Sequence, residues 1–131
     1  MSQFLPRSQT LGVTTPQITA QRVAKRAAGM ARKVNQEGRG VVENMSWFTG
    51  DDGKRYEIFG AGGGAALAAE LGVPLLGSVP LLPAMRHGAD QGEPVAVVAP
   101  ASVAAAAFAA IAARIVELRP RVRTNPQRVI R

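Results

Sequence analysis

Four short apolar runs, separated by stretches with helical spacing, limit what this chain can become more than any other feature does. They are "TLGVTT" (10–15), "GVVENMS" (40–46), "PLLGSVPLLP" (74–83) and "VAVVAP" (95–100). The second turns polar at Glu43, Asn44 and Ser46, and the others are bounded by proline. Such runs suit buried strands.

Helical patterns fill the spaces between them. From Thr19, the residues Ala20, Val23, Ala24, Ala27, Met30, Ala31 and Val34 recur at three and four, with Arg22, Lys25, Arg26, Arg32 and Lys33 mostly between them. That predicts one amphipathic helix of roughly four turns. "NQEGRG" breaks it. "TGDDGK" reads as a turn leading into "RYEIF", a short exposed strand or hairpin arm. "AALAAEL" (65–71) predicts a second helix closed by Gly72, with Pro74 beyond it. Ser102 can cap a last helix in which Phe108, Ile111, Ile115 and Leu118 share a face and which Pro120 ends.

The expected order is therefore β, α, β, hairpin, α, β, β, α, with "PAMRHGADQGEP" as a polar loop. Strands alternating with helices imply an α/β fold with a mainly parallel, covered sheet. Ligands of such sheets bind beyond the carboxyl ends of the strands. This directs attention to "TTPQ", "ENMS" and "VPLLPAMR".

A chain of 131 residues suits one hydrophobic core. The expected domain covers residues 1–119, followed by a basic, disordered tail at 120–131. The absence of Cys excludes disulfides, thiolate metal ligation and a Cys nucleophile from these residues. One histidine, His87, does not make a zinc site and reads as a surface loop residue. The stretch Val95 to Ala113 is uncharged, but Pro100, Ser102 and its alanines leave it short of a membrane span. "MSQFLPRSQT" lacks the apolar core of a signal peptide, so a cytoplasmic protein is expected.

Net charge is +7, concentrated at the ends: six basic and no acidic residues in 1–36, five Arg and no acid in 118–131. Basic ends can attract nucleic acid or anionic lipid. A solvated helix face and an unstructured tail are the simpler reading.

Gly60, Gly62 and Ala65 fall on the spacing G-x-G-x-x-A ahead of a helix. A dinucleotide loop also needs a buried strand before the glycines and an acid about 20 residues later. "KRYEIF" is too polar for the first, and "VPLLP" supplies no acid. A phosphate loop of the form G-x-x-x-x-G-K-[ST] is absent too: the one Gly–Lys pair, Gly53–Lys54, is followed by Arg55, and Phe48 occupies the earlier glycine position. Asp51 and Asp52 read as turn formers rather than a metal or acid/base pair. No Ser–His–acid arrangement is legible.

Taken in order, "GVVENMSWF", "YEIFGAGGG", "LAAELGVPLLGSVPL" and "R-H-G-A-D-Q-G-E-P", preceded by "LPRSQTLGVTTPQITAQRVAKRAAGMARKVN", resemble the C-terminal part of the Mrp/ApbC family of iron–sulfur cluster carrier P-loop ATPases. The resemblance runs from about Leu5 to Leu118. It implies the C-terminal portion of a MinD-like P-loop domain that dimerises around ATP, and a role in ATP-dependent cluster assembly and transfer to apo-proteins. It also implies that Asn44 contacts the adenine base and that Pro80, Pro83 and Arg86 belong to the loop beside it. An amide can satisfy both the amino donor and a ring-nitrogen acceptor of adenine. Read without the family, Asn44 and Ser46 cap strand and loop.

Two departures from the family shape the expectation. Its phosphate loop and magnesium-positioning acidic strand lie upstream of the matching region, and the C-P-x-C cluster ligands that many members carry, though not all, are replaced here by "TGDDG". Phosphate and magnesium contacts supply most of the stabilisation in phosphoryl transfer. The expectation is a truncated carrier ATPase that keeps adenine-side elements, does not hydrolyse ATP alone and associates through the sheet edge beside "TLGVTT". A basic module binding nucleic acid and a non-functional gene remnant stand as the alternatives.

Overall fold

The structure, a computed structural model, describes residues 8–118. The tail expected at 120–131 lies outside the described residues. In chain order the elements are β1 (Gln9–Thr14), α1 (Ile18–Lys33), β2 (Glu37–Glu43), β3 (Phe48–Thr49), β4 (Arg55–Tyr56), α2 (Gly63–Leu71), β5 (Leu75–Ser78), α3 (Pro83–Gln91), α4 (Val95–Val98) and α5 (Val103–Glu117).

β1, β2 and β5 form a parallel sheet in the order β1-β2-β5, and β3 pairs with β4 in a separate antiparallel hairpin. Successive side chains of a strand point to opposite faces, and β2 uses this to join two cores. Val41 packs with Leu67 and Ala68 of α2, while Val42 packs with Leu76, Val79 and Ile111 of α5. Helices α1 and α2 thus lie on one face and α5 on the other.

Most helix boundaries have a local cause. Ser102 Oγ accepts the Ala105 N–H at 3.2 Å and starts α5, as its position predicts. Gly72 closes α2 with a left-handed φ of 69°, which glycine adopts without cost to a side chain. On α5, Ile111 is buried and Ile115 and Leu118 pack against its cluster, but Phe108 remains exposed.

The region after β5 corrects two expectations. "PAMRHGADQGEP" is largely helix α3: Pro83 occupies its first turn, where a missing N–H is harmless, and Gly92 ends it with a φ of 74°. "VAVVAP" is the single helical turn α4 rather than a fourth strand. Pro94 opens that turn and Val97 and Val98 N–H groups both reach its carbonyl, at 2.8 and 3.1 Å. A short apolar run between prolines fits a turn and a strand equally well, and packing of α4 between α3 and α5 selects the turn. β2 also begins earlier than expected, because "EGRG" pairs with β1.

α1 is held by small contacts. Ala24 packs against the Val41–Leu67 cluster, yet no residue of α1 is fully buried. Alanines 24, 27, 28 and 31 leave a cleft of about 430 Å³ between α1 and the β1–β2 strands.

Candidate functional site

The carboxyl ends of β2 and β5 converge, and backbone hydrogen bonds join the loops that leave them. Val79 N–H donates to the Glu43 carbonyl at 2.8 Å, Ser46 N–H to Val79 O at 3.0 Å, and Leu81 N–H to Trp47 O at 2.7 Å. The buried Ser46 hydroxyl also donates to the Glu43 carbonyl, at 3.1 Å. "ENMS" and "VPLL" therefore form one rigid ledge.

Asn44 stands on this ledge. Its N–H donates to Thr14 O at 2.7 Å, tying it to the end of β1. Its Oδ1 accepts the Met45 N–H at 2.9 Å, and Met45 takes a positive φ of 55°, uncommon for a residue with a side chain. That contact fixes the amide and uses one Oδ1 lone pair. The second lone pair and the two Nδ2 protons form the donor–acceptor set that an adenine edge requires.

The other predicted site residues follow from the same loop. Pro80 is buried in the ledge, beside the Val79 that anchors Ser46. Pro83 and Arg86 lie on α3 and are exposed. Arg86 Nε is 3.4 Å from Asp90 one turn later, a pairing of two solvated side chains. Asn44 and Pro80 thus sit in joined loops, whereas Pro83 and Arg86 belong to the helix that departs from them. His87 also lies on α3, exposed.

Residue-by-residue reading missed the role of Glu43. Its side chain is buried, and Oε2 accepts the Gly64 N–H at 2.5 Å, in the first turn of α2. The free N–H groups and dipole of a helix start favour an anion. Here a side chain of the protein itself meets the helix start, and of the glycines in "FGAGGG" it is Gly64 whose N–H Glu43 accepts. A Cβ at Gly64 would lie 2.6 Å from Glu43 Cβ, which is why the approach needs glycine. An acid ending an apolar strand, together with paired glycines starting a helix, was the available signal.

The β3–β4 hairpin occupies the stretch where the family resemblance places the C-P-x-C cysteines of many members. Tyr56 hydroxyl donates to Asp52 Oδ2 at 2.6 Å, and Asp52 Oδ1 accepts the Lys54 N–H at 3.0 Å. The Tyr56 bond, followed by the Lys54 bond, lowers the Asp52 pKa, and the same Asp52 contact raises that of Tyr56. Arg55 stacks on Trp47, 4.0 Å from the ring centre. Asp52 is thus a turn former, as its setting predicts. With no Cys in the sequence, and no metal-binding group of His, Asp or Glu among the described residues, the hairpin does not fit an iron–sulfur cluster.

The basic face of α1 is partly engaged. Lys25 pairs with Glu70, and Arg32 Nη2 donates to Leu71 O at 2.7 Å, so both serve the α1–α2 contact. No described helix is long and apolar enough to cross a membrane.

Comparison with known proteins agrees with this fold. An iron–sulfur cluster carrier protein of Synechocystis sp. is 41% identical over 117 residues, covering 88% of this chain and 33% of the relative. The chain therefore spans about a third of that relative's length. Among solved structures, the cell division ATPase MinD of Pyrococcus furiosus superposes with a TM-score of 0.62 at 25% identity, over 83% of this chain and 43% of MinD. A nucleotide-binding protein of Archaeoglobus fulgidus, solved in complex with ADP, gives 0.50 at 25% identity, over 63% and 36%. The parallel sheet with helices is thus part of a MinD-like P-loop NTPase fold. Residues 1–116 match the ParA family described as NUBPL iron-transfer P-loop NTPase, and the chain belongs to that family.

Proposed function

We propose that this chain forms the adenine-side part of the nucleotide site of an iron–sulfur cluster carrier NTPase. The observation that carries the reading is the fixed amide of Asn44 on the ledge joining β2 and β5. Asn44 would accept from the adenine amino group and donate to a ring nitrogen, with Pro80 and Pro83 shaping the pocket edge and Arg86 beside it. The solved ADP complex of a similar protein supports a nucleotide in this fold.

The chemistry of these residues is binding and orientation. No Lys follows the glycine pattern of a phosphate loop in the sequence, and Glu43 takes up the Gly64 N–H at the start of α2. Without phosphate and magnesium contacts, transition-state charge is not stabilised. These 131 residues alone therefore hold adenine weakly and do not turn over ATP. The family role, transfer of iron–sulfur clusters to apo-proteins, would require thiolates from elsewhere because this chain has none. Purified protein given ATP and magnesium should release no phosphate above buffer. Phosphate release that Asn44→Ala abolishes would overturn the reading.

A further inference from the structure

We propose that Met45 is a specificity-determining residue: its backbone N–H sets the Asn44 amide so that the site takes a 6-aminopurine and rejects a 6-oxopurine. This rests on the nucleotide-site reading above and assigns the discrimination at that site to the residue after Asn44.

An asparagine amide does not by itself tell the two purine classes apart. With its oxygen toward the 6-position and its nitrogen toward N1, it pairs with adenine, which offers an amino donor and a bare ring nitrogen. Flipped end for end, it pairs equally well with a 6-oxopurine, which offers a carbonyl and an N1–H. What holds the amide decides the outcome.

Here the holder is the Met45 N–H, which donates to Asn44 Oδ1 at 2.9 Å. A flipped amide would set its own N–H protons against that donor, and the hydrogen bond would be lost. The Met45 N–H is kept in place from both sides. Asn44 N–H is tied to Thr14 O at 2.7 Å, Ser46 N–H to Val79 O at 3.0 Å, and the buried Ser46 hydroxyl to the Glu43 carbonyl at 3.1 Å, so its neighbours are anchored to the ends of β1, β2 and β5.

The backbone carries a cost for this arrangement. Among the described residues, two that are not glycine take a positive φ: Asn35 at 58° and Met45 at 55°. Asn35 lies just past the end of α1, where the left-handed conformation is ordinary and asparagine tolerates it. Methionine at the site has no such local reason, and a left-handed residue fixed by its surroundings points to a functional constraint. The other end of the amide is free. Asn44 Nδ2 has no partner among the described residues, and the one sealed side-chain polar atom without a hydrogen bond there is Arg39 Nε. The amide is thus pinned at its oxygen and open to a ligand at its nitrogen.

The test titrates the 131-residue chain with adenosine and with inosine, which differ at the 6-position and N1, and follows the Asn44 side-chain amide resonances by NMR. The parent should bind adenosine roughly tenfold or more tightly than inosine, the ratio expected when one hydrogen bond is lost and a donor is left facing a donor. Replacing residue 45 by the α-hydroxy analogue of methionine turns its N–H into an ester oxygen and should erase most of that ratio by admitting inosine. Met45→Gly keeps the N–H and favours a positive φ, so it should keep the ratio. A merely structural role for Met45 would weaken both nucleosides alike in the ester variant. Equal binding of adenosine and inosine by the parent, an ester variant with the parent's ratio, or a Met45→Gly variant without it would overturn the proposal and leave the nucleotide reading standing. Binding of neither nucleoside by the parent would overturn both.

Discussion

Glu43 Oε2 accepts a hydrogen bond from the Gly64 N–H at 2.5 Å, joining the end of the central strand to the start of α2. The contact takes up an N–H of the helix start that follows the glycine-rich sequence. It also braces the strand end from which Asn44 projects.

Removing this brace should be costly. Glu43→Ala loses a charge-assisted bond to a buried N–H, and a loss of about 2 kcal/mol is expected. Glu43→Gln retains an acceptor oxygen and should lose less. Gly64→Ala presses a methyl group against Glu43 and should cost about 1–3 kcal/mol. Urea unfolding followed by circular dichroism measures all three; equal stability of parent and Glu43→Ala would show that the contact contributes nothing.

The two apolar positions 108 and 111 of α5 should behave differently. Ile111 is buried against Val42 and Leu76, so Ile111→Ala should cost about 2–5 kcal/mol. Phe108 is exposed, and Phe108→Ala should cost well under half as much. Thermal unfolding of the two variants gives the comparison, and similar losses would contradict this placement of α5.

The Asp52–Tyr56 contact sets a pH window for the hairpin. The Asp52 pKa is lowered from 3.8, so its contribution is present above that value and is lost as pH falls through the lowered one. The Tyr56 pKa is raised from 10.0, so its contribution is present below that value and is lost as pH rises through the raised one. The hairpin should therefore be best ordered between these limits. Carboxyl titration by NMR should return Asp52 toward its ordinary value in Tyr56→Phe; an unchanged Asp52 titration would mean that the hydroxyl is not its main partner.

Much of the fold was legible because hydrophobic period and punctuation agreed. α1, α2 and α5 announced themselves by spacing and by Ser102 and Gly72, and β1, β2 and β5 by short apolar runs. The region 83–100 was not legible for two separate reasons. Polar residues concealed α3, whose inward contact rests largely on Met85, and "VAVV" is too short for period to separate a helical turn from a strand. At the site, Asn44 was marked by a polar interruption after an apolar strand and by family resemblance. The use of Glu43 depends on a contact across 21 positions of sequence: the acid at the strand end and the paired glycines mark the two partners, but nothing local records that they meet.

The most direct measurement compares adenosine with ATP–magnesium, following the side-chain amide resonances of Asn44 by NMR in the 131-residue chain. A site made of base contacts alone predicts that both ligands move these signals with the same weak affinity, and that Asn44→Ala abolishes binding of both. Much tighter binding of ATP than of adenosine would reveal phosphate contacts in this chain, and signals unmoved by either ligand would place adenine elsewhere; either result contradicts the account.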